Sequence, residues 1–206
     1  MAASADYRIE SIHHTTPDKC VEDAKSAVRY LRQHASELGI DPGKIVAGGG
    51  SAGGHIAACT ALIDAFDAET DDKAFSAKPD AMVLFNPALN IDELSAERKG
   101  SAEDQAKAEA ITPNRFIKAG TPPVIMFFGT NDALKKGADG YLAKAKPLGL
   151  RAELWTAEGQ AHGFFNRAPW SQVTVKKADE FLVSLGFLKG EPTVPIPAGA
   201  PVLKKE

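Results

Sequence analysis

The stretch Lys44-Ile45-Val46-Ala47-Gly48-Gly49-Gly50-Ser51-Ala52-Gly53-Gly54-His55-Ile56 decides how this chain is read. Lys44-Ile45-Val46-Ala47-Gly48 reads as a short buried strand, and Gly54 to Leu62 reads as a helix. Between them, Gly49-Gly50-Ser51-Ala52-Gly53 fits G-x-S-x-G, a sharp strand-to-helix turn that lifts a serine hydroxyl out of a sheet. In that context Ser51 is a candidate nucleophile. A glycine-rich turn after a strand also binds phosphate or merely reverses the chain, so the motif needs partners from elsewhere in the sequence.

Outward from this turn, helical and extended patterns alternate. Upstream, Val21, Ala24, Ala27, Val28, Leu31, Ala35 and Leu38 recur at three- and four-residue steps. That spacing predicts an amphipathic helix starting near Pro17-Asp18 and stopping at Gly39. Asp41-Pro42-Gly43 is a turn. Downstream, the helix after Ser51 is expected over 53–65, followed by a polar, acidic loop over 67–79. Ala81-Met82-Val83-Leu84-Phe85 is a continuous apolar run, as expected of a strand covered on both faces, and Asn86-Pro87 ends it. Residues 86–118 read as an insertion outside the core and near the site, helical around 101–110. A strand over 124–128, a helix over 136–147, a strand over 151–156 and a helix over 171–185 complete the pattern. This order predicts an α/β protein, a three-layer α/β/α sandwich around a mostly parallel sheet with right-handed crossovers. A single domain is expected over 1–190. Pro192, Pro195, Pro197 and Pro201 predict an extended or disordered tail over 191–206.

The 206 residues are 44% hydrophobic and 25% charged, enough for one domain with a sizeable core. A net charge of -3, with both signs mixed, carries no footprint of a nucleic-acid or anionic-membrane partner. No apolar run approaches the roughly 20 residues of a membrane span. Met1-Ala2-Ala3-Ser4-Ala5-Asp6 lacks the charged and apolar regions of a signal peptide. A cytoplasmic protein is expected, or a secreted or periplasmic one if a signal lies upstream. Two cysteines, Cys20 and Cys59, are too few for a disulfide framework, and Cys59 is expected to pack. His13, His14, His34 and His55 show no metal-ligand spacing, so neither metal nor cofactor is expected. His55, one turn past the serine, is expected to pack or to line the pocket.

Two further motifs supply partners for Ser51. Phe128-Gly129-Thr130-Asn131-Asp132 directly follows an apolar strand, and in open α/β sheets functional groups gather at the carboxyl ends of strands. Asp132 can accept a hydrogen bond from an imidazole and fix its tautomer; alone, it reads more readily as a helix cap. Glu158-Gly159-Gln160-Ala161-His162-Gly163 follows the strand over 151–156. His162 suits a general base because an imidazole ordinarily changes charge near neutral pH; alone, it reads equally as a solvated loop histidine. Together the three fall at strand ends in the order Ser51, Asp132, His162. That is the order of the α/β-hydrolases and differs from other serine hydrolase folds.

These residues resemble the hormone-sensitive-lipase-like branch of the α/β-hydrolases, and more closely bacterial carbohydrate esterases of the acetylxylan-esterase type. Asp6-Tyr7-Arg8, Val21 to Lys25, Gly49 to His55, Asn86-Pro87, Gly129 to Asp132 and His162 to Asn166 carry the likeness, which extends from Asp6 to about Pro192. The resemblance implies hydrolysis of short-chain carboxylic esters, acetyl groups on sugars among them. It implies Ser51 as nucleophile, Asp132 as acid, His162 as base and the Ala52 N–H as one oxyanion donor. It also sets Gly50, His55 and Phe164 beside the substrate, with Phe165 and the 86–118 insertion as further walls. In that family Asp-Tyr-Arg ends a strand that follows a His-Gly-Gly oxyanion loop. Here the tripeptide stands near the start and no His-Gly-Gly occurs. The resemblance thus implies a shortened N-terminus and one oxyanion donor fewer, a loss of about 10²–10³ in rate. The opened sheet would expose an edge that invites pairing. A homo-oligomer, or a rearranged N-terminus, is expected to cover it. Two rival readings are a serine peptidase of the prolyl-oligopeptidase type and a weakly active or inactive scaffold that acts in binding.

Overall fold

The computed structural model describes residues 1–97 and 101–206. Residues 98–100 of the expected insertion lie outside the described residues. Four strands, β1 (Val46–Gly50), β2 (Ala81–Phe85), β3 (Val124–Gly129) and β4 (Ala152–Ala157), run parallel and lie in sequence order across the sheet. A fifth, β5 (Lys204–Lys205), pairs antiparallel with β4. The helices are α1 (Glu10–His13), α2 (Pro17–Gln33), α3 (Ala35–Leu38), α4 (Ala52–Leu62), α5 (Ile91–Glu97), α6 (Ala102–Ala110), α7 (Lys135–Ala145) and α8 (Trp170–Ser184).

The period of two along β2 and β3 builds the layers. Met82, Leu84, Val124, Met126 and Phe128 face α4 and α7, with Ala58, Leu62, Ala138 and Tyr141 in the same core. Val83, Ile125 and Phe127 face the other way, onto Ala178 and Phe181 of α8. A strand covered on both faces has no polar side, which is why both runs are apolar throughout. Helix α2 packs on α4 and adds Val21 to the core. The expected three-layer α/β/α sandwich with a mostly parallel sheet is what forms.

Several boundaries differ from expectation, each for a local reason. The first strand lies two residues later. Asp80 receives the Ile45 N–H on its carboxylate and gives its own N–H to the Ile45 carbonyl, so pairing with β2 opens at Val46 opposite Ala81. Helix α4 stops at Leu62, because the Lys25 ammonium takes the carbonyls of Ile63, Asp64 and Ala65. The helix expected up to Gly39 breaks at His34 into α2 and α3. The segment 86–118 is not purely peripheral, since Leu89 and Ile111 are buried in the main core. The tail ends in β5, where the Glu206 N–H donates to the Leu154 carbonyl and Leu203 packs beneath the sheet. Lys177 and Lys205 both stand over the Trp155 ring, at 4.3 and 5.5 Å.

The opposite edge, β1, has no strand beyond it among the described residues. Residues 3–7 run beside it and enclose a groove of about 320 Å³ with Ala24, Val28, Leu31, Val46, Gly48 and Ile56. The segment is fastened at Arg8, whose guanidinium binds Asp23 and Glu22 and whose N–H donates to Asp23.

Candidate active site

The turn after β1 is tight, and its glycines show why. A Cβ on Gly49 would stand 2.5 Å from the Gly53 carbonyl carbon, and one on Gly50 would stand 2.5 Å from the Phe165 ring. Ser51 itself has φ 53° and ψ -115°, an unfavourable conformation for a residue with a side chain. Its N–H donates to the Phe85 carbonyl at 2.8 Å, which ties the turn to the end of β2. Helix α4 begins at Ala52, so the Ala52 N–H is among the first-turn donors that lack an intrahelical acceptor.

Asp132 and His162 come to this turn from the ends of β3 and β4. His162 Nε2 lies 2.8 Å from Ser51 Oγ, and its Nδ1 lies 2.8 Å from Asp132 Oδ2. A carboxylate accepts only, so Nδ1 carries the proton and Nε2 is free to accept the Ser51 hydroxyl. The Asp132 side chain is 2% exposed. Burial of a carboxylate is costly unless donors meet it, and three do: His162 Nδ1, Asn86 Nδ2 at 2.7 Å and the Leu134 N–H at 2.9 Å. The last bond closes a turn just before α7, whose N-cap is Leu134 with no side-chain cap bond, so Asp132 does not take the helix-capping role that was the plainer alternative. Gly129 is needed here as well, because a Cβ on it would collide with the Gln160 carbonyl in the loop that carries His162. The His162 side chain is 42% exposed, so the site opens directly to solvent.

Two residues expected beside the substrate lie elsewhere. His55 is 5% exposed, and its Nε2 donates to the Ile111 carbonyl at 2.7 Å. Burial lowers its pKa, only partly offset by that carbonyl, and holds the ring neutral. The Cys59 thiol lies 3.3 Å from the same nitrogen, and burial pushes its pKa far up, so it is inert as a nucleophile. Phe164 is buried edge-on against Trp170, with centroids 5.5 Å apart. It is Phe165, tilted on Phe85 at 5.0 Å, that covers Gly50. Sequence reasoning passed over Asn86, whose side chain reaches both Asp132 and the Gly163 N–H. Its signal was available: a polar residue closing a fully apolar strand at a sheet's carboxyl end. Among the described residues no cluster of His, Cys, Asp or Glu could hold a metal ion, and no helix is long and apolar enough to cross a membrane.

Comparisons with known proteins bear on the fold and the family. Residues 1–142 match the model of the BD-FAE family. A probable carboxylic ester hydrolase, LipM of Mycobacterium tuberculosis (strain ATCC 25618 / H37Rv), is 30% identical over 153 residues, covering 65% of this chain and 34% of LipM. The chain spans about a third to just over half of the curated carboxylesterase relatives it matches. A thermophilic esterase from Thermogutta terrifontis, Est2 with propionate bound, superposes with a TM-score of 0.79 at 42% identity, covering 91% of this chain and 72% of Est2. The same esterase phosphonylated by sarin superposes with a TM-score of 0.81 at 40% identity, over 90% of this chain and 73% of that one. Strand order, the turn at Ser51 and matched residues together lead to one conclusion: the chain belongs to the BD-FAE family and has the α/β-hydrolase fold.

Proposed function

We propose that this protein hydrolyses short-chain carboxylic esters by acyl transfer through Ser51, His162 and Asp132. The observation that carries the reading is the unbroken chain from Ser51 Oγ to His162 to Asp132, with both hydrogen bonds at 2.8 Å. His162 Nε2 takes the hydroxyl proton as Ser51 Oγ attacks the ester carbonyl carbon. The oxyanion is met by the Ala52 N–H, where the helix N-terminus favours negative charge. Asp132 keeps the imidazolium oriented while its Nε2–H protonates the leaving alcohol. Water, deprotonated by His162, then attacks the acyl-enzyme and releases the acid. The propionate-bound neighbour supports a short acyl group, and its phosphonylation by sarin supports a covalent nucleophile on this fold. The 42% exposure of the His162 side chain supports a bulky alcohol half such as a sugar hydroxyl. A second copy of the chain covers the β1 edge.

The test is turnover of p-nitrophenyl acetate by the wild type and by Ser51→Ala. The variant is expected to lose at least about 10³-fold in kcat and all labelling by a fluorophosphonate probe. Equal rates would remove Ser51 from the mechanism. Acetylated xylan and a peptide substrate, run in parallel, separate a carbohydrate esterase from a peptidase.

A further inference from the structure

The carboxyl end of β2 touches every part of the catalytic group. The Phe85 carbonyl accepts the Ser51 N–H. The next residue, Asn86, is fully buried with φ 46°, and its own N–H donates to the Phe127 carbonyl at 2.8 Å. Its side chain makes two more bonds. Nδ2 donates to Asp132 Oδ2 at 2.7 Å, and Oδ1 accepts the Gly163 N–H at 3.2 Å. Asp132 Oδ2 is also the oxygen that receives His162 Nδ1–H. One amide therefore spans from the acid's carboxylate to the backbone beside the base. A residue held at positive φ persists where surrounding contacts over-determine it, and asparagine tolerates that region better than most side chains.

We propose that Asn86 is a positioning residue, whose amide holds the Asp132 carboxylate and the His162 loop in register with Ser51. The proposal rests on the Ser51–His162–Asp132 reading above. The amide is matched to its place on both sides. Its NH₂ donates to an oxygen that can only accept, and its carbonyl accepts from an N–H that can only donate. Without it, the carboxylate loses one of two donors on Oδ2 and gains freedom to rotate. The imidazole it orients then loses its direction toward Ser51. Aspartate at this position would keep the size and the acceptor for Gly163 but would bring a second carboxylate to Asp132. Two such groups share a site badly when both are ionised, so the pair would hold a proton at neutral pH. Protonated, the new carboxyl donates to Asp132 as the amide does. Asp132 and His162 are the titratable groups facing this position.

The experiment compares Asn86→Leu and Asn86→Asp with the wild type and Ser51→Ala. It measures kcat and KM for p-nitrophenyl acetate from pH 5.5 to 9, with melting temperatures alongside. Asn86→Leu is expected to lose about 10–100-fold in kcat, the worth of a hydrogen bond to a charged group, with KM within about threefold. Asn86→Asp is expected to show its largest deficit at alkaline pH, shrinking toward the acid end as the added carboxyl protonates. A merely structural role would lower the melting temperature and leave the kcat of folded protein and the shape of its pH profile unchanged. That result overturns the proposal. If Asn86→Leu does not fold, the isosteric Asn86→Asp decides alone. Loss of activity in Ser51→Ala with normal Asn86 variants removes the positioning role only. Full activity in Ser51→Ala removes the nucleophile and this role with it.

Discussion

Gly50 carries a constraint that its neighbours in the turn do not. A Cβ there meets the end of the Phe165 ring, while Phe165 is itself wedged against Phe85 and Phe164. Gly50→Ala is expected to destabilise the protein by about 1–3 kcal/mol, the usual cost of overpacking. Activity should fall with it, because the displaced atoms adjoin Ser51. Calorimetry on Gly50→Ala, Phe165→Ala and the double variant measures the coupling. The double variant should be distinctly more stable than the sum of the single losses, and simple additivity would sink this account. At this scale the meeting of Ser51, Asp132 and His162 was legible, because each motif closely follows a strand of the parallel sheet. His55 and Phe164 take the packing alternative instead of lining the pocket, and one physical reason explains why their sequence positions could not decide between the two. Closeness in sequence to a site residue does not say which way a side chain turns, and both turn into the core. The position of Asn86 at the end of β2 was legible, but its two side-chain bonds were not, because their partners come from the loops after β3 and β4.

At the level of elements, α4 is pinned at both ends. Ser51 and its glycines hold the start, and α2 holds the finish. Lys25, 3% exposed, donates to three carbonyls beyond Leu62 and pairs with Asp67 at 2.6 Å. Arg29 binds Asp67 and Asp71 and donates to the Phe75 carbonyl. Burial raises the pKa of the Asp67 carboxyl, but hydrogen bonds from Lys25 and Arg29 outweigh it and hold the value below the ordinary one. A folded-state pKa below the unfolded one stabilises fully above the unfolded value of about 4, and the contribution fades as pH falls through the folded value. Melting temperature should therefore fall below about pH 4. Asp67→Asn should be less stable than the wild type at pH 7 and should show a shallower decline below pH 4. Parallel declines would exclude this clamp. Element boundaries were the least legible part of the fold because Lys25, at the end of α4, and Asp80, at the start of β1, act across 35 or more positions of chain. The apolar runs of β2 and β3, buried on both faces, needed no such information.

Across the whole molecule, the two edges of the sheet are treated unequally. Beyond β4 the tail adds β5, and Thr156 Oγ1 donates to Glu206 at 2.8 Å. Beyond β1, residues 3–7 leave a groove and make no backbone hydrogen bond to the strand. Unpaired strand edges recruit other chains. A concentration-dependent dimer, with close approach at β1, is expected in solution scattering; a strict monomer at high concentration would count against it. The tail's role was illegible because Lys204-Lys205 has no strand-like pattern of its own and pairs only after β4 exists. Its seating has an optical consequence. Trp155 has one cation from α8 and another from β5 over its ring. Indole emission responds to nearby charge, so this ring makes the protein self-reporting. With Trp170, the other indole of the chain, replaced by Phe, its fluorescence is expected to register whether residues 204–206 are docked, without any attached dye.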